Sequence, residues 1–253
     1  MRLTVFASRN GKELLRDPLS YLFCLGLPLM MLILMTIING SIPEEAHMVI
    51  FRIDYLAPAI TVFSFAFVML SAALQVSKDR STAFLARLYA SPMRAADYLL
   101  GYTLPLLAIA LGQCVVTYGT AAVIALVQGI ALPPLGLLLS LLPLFPAAVL
   151  YLGFGLLFGT LLGEKAAPPL SSMVITLSCI MGGIFMDIDA LGGTLKTICR
   201  IFPFYHAVRS SRAAVLGEYG DLWPSLLITA LFAAAVYGAA VLVFRRKMRS
   251  DLR

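Results

Sequence analysis

From Tyr98 to Gly163 the chain carries no Asp, Glu, Lys or Arg. A stretch of that kind has no face to present to water. It is also far longer than the roughly 20 apolar residues that cross a bilayer once. It must therefore fold back on itself inside an apolar medium. The reversal falls between Gln128-Gly129 and Pro133-Pro134, where Gly and Pro punctuate the run. The sequence predicts two spans here, 98–127 with a kink at Pro105 and 135–162 with Pro143 and Pro146 in its first half. Gly155, Gly159 and Gly163 repeat at four-residue spacing, a pattern that lets helices approach closely in lipid.

The rest of the chain reads the same way. Hydrophobic residues make up 60% and charged residues 13%, where a soluble domain carries about 25% charged. Further spans are predicted at 19–38, 55–76, 170–186 and 224–244, six in all. The fold class is an all-α polytopic membrane protein forming a single domain over 1–253, with no segment long enough for a separate soluble domain. The four cysteines make no disulfide framework: Cys24, Cys114 and Cys179 lie in apolar runs, and Cys199 has no evident partner. The sequence pI near 9.3 reflects basic loops at a membrane face, so nucleic acid need not be invoked.

Three connections are amphipathic. Residues 1–17 set Leu3, Phe6 and Leu14 among Arg2, Arg9, Lys12 and Arg16, the pattern of an interfacial helix lying on the membrane or of a plain basic tail. The apolar run that follows is too long for a signal peptide. The loop 77–97 carries Lys78, Arg80, Arg87 and Arg94 against Asp79 and Asp97. Within it Phe84, Leu85, Leu88 and Tyr89 share one helix face, Ser81 stands where an N-cap would, and Ser91-Pro92 ends the helix. That apolar face goes into a partner protein or onto lipid, unless the segment is only a solvated basic loop. Residues 187–223 are too polar to span. Leu191, Leu195, Ile198 and Phe202 step along one face with Lys196 and Arg200 opposite, Pro203 breaks the helix, and a second helix from about Tyr205 to Leu216 ends at Gly217. Both helices are expected to enter the interface without crossing it.

Six spans put both termini on one side. Arg52, Lys196, Arg200, Arg209 and Arg212 are the cations of the other side, and the remaining 14 of the 19 Lys and Arg residues share the side of the termini. Positive residues mark the cytoplasm, so both termini and the 77–97 loop are expected there, in a plasma-membrane protein.

No catalytic machinery is legible. His47 and His206 have no metal partner at ligand spacing, there is no G-x-S-x-G, and Gly11-Lys12 is followed by Glu13 and cannot be a phosphate loop. A lipid-acting enzyme could hold a phosphate at Arg209 and Arg212, but no base or nucleophile accompanies them. The span centres carry no charge of the kind ion-coupled carriers use. The readings left are transport powered by a partner, an ion-coupled secondary transporter, and a non-transporting membrane assembly subunit.

Asp79-Arg80 followed by Leu85-Ala86-Arg87-Leu88-Tyr89-Ala90-Ser91-Pro92 resembles the first cytoplasmic loop of the type-2 permease family of ATP-binding-cassette (ABC) exporters. That loop reads as an acidic–basic cluster, Gly-Thr, then L-E-x-L-x-x-S-P. Leu85, Leu88, Ser91 and Pro92 match; Ala83-Phe84 stand in place of Gly-Thr, and Ala86 replaces the Glu. The segment 182–218 resembles the family's outer segment in Phe202-Pro203, Arg212 and Gly217, with Met186 where the family has Pro.

The resemblance implies a membrane subunit with no catalytic, cofactor or metal residue of its own. ATP and Mg would be bound by a partner ATPase subunit in two copies. A second permease copy or a paralogous permease, and membrane lipid, complete the partners. It further implies that Phe84, Leu85, Arg87, Leu88, Tyr89, Ser91 and Pro92 form a coupling helix against the ATPase. Leu195, Phe202, Pro203, Arg209 and Arg212 would belong to outer re-entrant helices. The pathway would run near spans one, two and five, where Ser171, Thr176 and Ser178 either line it or only bond between helices. The implied activity is export of an amphipathic small molecule, peptide or lipid-linked compound, as in multidrug or peptide efflux.

Overall fold

The computed structural model describes residues 2–43, 48–82, 95–191 and 193–251, and every regular element among them is a helix. In chain order these are α1 (Arg2–Arg16), α2 (Pro18–Tyr21), α3 (Leu27–Ser41), α4 (Ile53–Ser81), α5 (Ala95–Gln128), α6 (Pro134–Leu161), α7 (Ala167–Met181), α8 (Gly193–Ile201), α9 (Pro203–Leu216) and α10 (Tyr219–Asp251). A π-helical turn, Leu22–Gly26, joins α2 to α3.

Helix α4 is the centre of the bundle. In its most apolar stretch 78% of the residues are buried, against 28% near the N-terminus and 17% in α10. Helices α3, α5, α6, α7 and α9 pack around it, and α10 closes the far side against α6. The tightest crossing is α4 on α6. A Cβ at Gly155 would fall 2.5 Å from the Met69 carbonyl oxygen, and one at Gly159 would fall 2.7 Å from Val76 Cβ. Small residues thus bring these backbones together as the sequence predicts. Gly163 takes no part, since a Cβ there meets nothing within 4 Å.

Among the described residues five helices are long and apolar enough to cross a membrane: Leu22–Ser41, Ile53–Ser81, Asp97–Gln128, Pro134–Leu161 and Tyr219–Lys247. The fifth predicted span, 170–186, is instead the 15-residue helix α7. At about 1.5 Å per residue it falls short of a roughly 30 Å hydrocarbon core. It stops because Gly182 and Gly183 follow, the latter at φ +65°, a left-handed conformation that only Gly adopts freely. The bundle has two ends. Phe6, Tyr98, Leu156 and Phe244 pack together at one, which gathers α1, the start of α5 and the ends of α6 and α10. At the other, Arg212 of α9 donates to the Tyr55 carbonyl in the first turn of α4. Helix α7 joins the two ends.

Candidate functional site where helix α1 meets the charged loop

Helix α1 is held by two features of α5. Pro105 has no amide hydrogen for the carbonyl four residues back. That carbonyl, on Gly101, accepts instead from Asn10 Nδ2 at 3.1 Å. Gly101 also lacks a side chain, and a Cβ there would collide with the ring of Phe6. Phe6 packs edge-on against Tyr98 and Tyr102, with ring centroids 5.9 and 5.1 Å apart. The same device recurs in the π-turn, where Pro28 leaves the Cys24 carbonyl free and Gln113 Nε2 donates to it.

Asp79 lies near the end of α4 with its side chain 5% exposed. It accepts from Arg9 Nη1 at 2.9 Å, Arg9 Nη2 at 3.3 Å and the Tyr102 hydroxyl at 2.7 Å. One carboxylate therefore joins α1, α4 and α5. Burial opposes the Arg9 charge, but bonding and attraction to Asp79, with help from Glu13, raise its pKa above the ordinary value. Arg9 therefore keeps its positive charge beside this carboxylate. Around it, Glu13 faces Arg9 at 3.0 Å and Lys78 at 3.5 Å. Arg80 donates to the carbonyls of Gly159 and Thr160, covering the open end of α6. Helix α4 thus runs on to Ser81, whose hydroxyl donates to the Lys78 carbonyl. Ser81 closes α4, because Arg80 and Asp79 anchor this turn to α6, α1 and α5; the helix it is expected to cap lies outside the described residues.

The predicted coupling residues Phe84, Leu85, Arg87, Leu88, Tyr89, Ser91 and Pro92 lie outside the described residues. The structure describes the two stalks from which they emerge, and α1 fastens those stalks together. Of the predicted pathway residues, Ser171 and Ser178 are buried and Thr176 is exposed. Ser178 shares a hydrogen bond with the Tyr151 hydroxyl, the Ser171 hydroxyl has no partner among the described residues, and Thr176 donates to the Ser172 carbonyl. The three do not share one surface.

At the opposite end, α8 buries Cys199 against Ile188 and Tyr205 and leaves Leu195 and Ile198 exposed. Leu191 lies outside the helix. Phe202 packs against the main core, and Pro203 opens α9, which ends at Gly217 with φ +79°. Arg209 bonds the Tyr205 hydroxyl at 2.7 Å and Asp221 at 2.9 Å, tying α9 to α10.

A sequence-family model described as ABC-2 family transporter protein matches residues 51–242. The chain belongs to that family. Its relatives include the putative transport permease YvfS of Bacillus subtilis (strain 168), 25% identical over 227 residues that cover 86% of either chain. Another is the probable multidrug ABC transporter permease YbhR of Escherichia coli (strain K12), 26% identical over 192 residues, 72% of this chain and 49% of that protein. The chain therefore spans about half the length of YbhR. In this ABC-2 family protein, sequence reasoning singled out the charged loop but missed the Arg9–Asp79–Tyr102 junction at its base. Its signal was available: Asp79 is an acid at the end of an apolar helix, and Asn10 faces a Pro-freed carbonyl.

Proposed function

We propose that this ABC-2 family protein is the permease subunit of an ABC exporter. It contains no ATPase of its own. ATP and Mg are bound by a separate ATPase subunit in two copies, which grips the 83–94 segment from the cytoplasm. The observation that carries this reading is the junction at Asp79. It makes α1 and both stalks of the loop one rigid unit, so that force on the loop reaches the bundle and is not lost in bending.

Helix α7 supports a six-crossing topology. The chain leaves α6 at the α1 end and must start α10 at the other, and α7 is the helix that makes that passage. With six crossings, both termini face the cytoplasm by the distribution of Lys and Arg. The exposed apolar residues Met30, Ile33, Ile37 and Ile38 of α3 and Met173 and Ile180 of α7 suit lipid and a second permease, with the pathway between the two copies. The cargo is an amphipathic molecule, in keeping with the multidrug description of YbhR.

Reconstitution with the ATPase into sealed vesicles tests the reading. Export should follow ATP hydrolysis and survive collapse of ion gradients. Transport that stops with the gradient and ignores ATP would establish an ion-coupled carrier instead.

A further inference from the structure

At the end opposite α1 lies a cavity of about 300 Å³, bounded by α9, the 182–189 connection and the starts of α4 and α10. Its charged groups are numerous, and most satisfy one another. Asp221 pairs with Arg209 at 2.9 Å. Asp189 pairs with Arg200 at 2.9 Å and Lys196 at 3.5 Å and accepts from the Tyr205 hydroxyl. Three lining groups form no ion pair among the described residues: Arg212, Asp187 and Glu218.

Arg212 is the inner one. Its Nε donates to the Tyr55 carbonyl at 3.0 Å, while Nη2 is fully buried with no hydrogen-bond partner among the described residues. Burial lowers its pKa to about 10, with attraction to Asp187 opposing the shift, so it carries its charge at neutral pH. A buried cationic donor without an acceptor is a persistent penalty that an anionic oxygen would relieve. Asp187 and Glu218 are exposed at the rim. Backbone amides of Asp189 and Ala190 hold one Asp187 oxygen at 2.9 and 3.2 Å and leave the other free. A purely anionic ligand would meet these two carboxylates, and a purely cationic one would leave Nη2 unpaired. The unpaired charges match a ligand with an anionic oxygen inside and an ammonium outside.

The depth of the cavity points to the source. Tyr219 and Trp223 at the start of α10 are 47% and 56% exposed, and Leu195, Ile198 and Ile201 of α8, the helix that precedes α9, are exposed as well. Exposed aromatic rings at helix ends mark the headgroup layer. We propose that this cavity binds the ammonium–phosphate headgroup of an aminophospholipid, its phosphate on Arg212 Nη2 and its ammonium between Asp187 and Glu218. The proposal does not depend on the direction of transport or on the ATPase.

The test uses the full chain in nanodiscs of phosphatidylglycerol containing a minor share of phosphatidylethanolamine. Lipid retained after release is read by native mass spectrometry. The chain should keep one phosphatidylethanolamine in preference to phosphatidylglycerol. Arg212→Gln should lower that retention about tenfold, the scale of one charge-assisted hydrogen bond. Asp187→Asn with Glu218→Gln alters only exposed groups and should abolish the preference for phosphatidylethanolamine while leaving the protein folded. Soluble O-phosphoethanolamine supplies a second arm. Displacement of the lipid supports a site for the headgroup alone, open to soluble zwitterions, and failure to displace it, with the variants behaving as stated, supports a lipid as the occupant. Equal retention of the two lipids by the parent chain, or an unchanged preference in the double variant, overturns the proposal.

Discussion

Replacing Asp79 by Ala should loosen α1, by an amount the structure allows one to work out. The substitution removes three accepted hydrogen bonds at once. Tyr102 is fully buried, so its hydroxyl loses the Asp79 acceptor away from bulk water, at a cost of about 1–3 kcal/mol. Arg9 fares better, because its side chain is 37% exposed and keeps Glu13 at 3.0 Å. Its loss falls on the scale of a surface pair, about 1 kcal/mol or less. A total near 2 kcal/mol raises the open population of α1 about 30-fold if the helix lifts as a unit. Leu14, 6% exposed in the docked helix, reports on that opening. With Leu14→Cys in a chain lacking the four native cysteines, the maleimide labelling rate should rise about 30-fold on Asp79→Ala. Tyr102→Phe keeps the Arg9 pair and should raise it less. A rate within about twofold of the parent for Asp79→Ala, less than 0.5 kcal/mol, would refute the reasoning that this carboxylate holds α1 down.

Gly155→Ala would place a methyl group 2.5 Å from the Met69 carbonyl and should cost about 1–3 kcal/mol as overpacking, seen as a lower thermal midpoint in detergent. Gly163→Ala meets open space and should leave that midpoint alone. His206 has its pKa lowered by burial and by the positive charges of Arg209 and Arg200, against the hydrogen bond to the Arg200 carbonyl. The folded protein then binds fewer protons than the unfolded chain below about pH 6.5. Its stabilisation is complete above that pH and is lost as pH falls through the folded value. The thermal midpoint should therefore drop on acidification from neutrality, and His206→Gln should flatten the drop. Leu195→Glu puts a charge on the exposed apolar face of α8 and should lower transport while the ATPase remains bound; unimpaired transport would show that the face does not need to sit in the interface.

Long helices were legible because composition and length decide them. A close helix approach at Gly155 and Gly159 was legible from their spacing, but that α4 is the helix they meet was not. What sequence alone did not show depends on partners distant in the chain. Ser81 resembles an N-cap locally, yet Arg80 reaches the carbonyls of Gly159 and Thr160 and carries α4 through it. The short α7 follows from Gly183 adopting φ +65°, which the apolar run around it conceals. Asp79 reads as one charge among several until Arg9 and Tyr102, 70 and 23 residues away, are brought to it. Arg212 likewise gains its meaning only when the start of α4 covers it.

The most direct measurement concerns the segment between the stalks. Phe84 and Leu88 lie one helical turn apart in sequence, and helix-in-groove docking rests on anchors at that spacing. Truncating a buried anchor costs on the order of 2 kcal/mol or more, so Phe84→Ala with Leu88→Ala should weaken ATPase binding about a thousandfold. Arg87→Ala, as a rim charge, should cost about 1 kcal/mol or less. With insertion into the membrane verified for each variant, the account predicts that the double variant releases the ATPase from the membrane fraction or hydrolyses ATP without transport, and that Arg87→Ala does so less. A double variant that co-purifies with its ATPase and transports at the parent rate would contradict the claim that work enters the bundle through this loop.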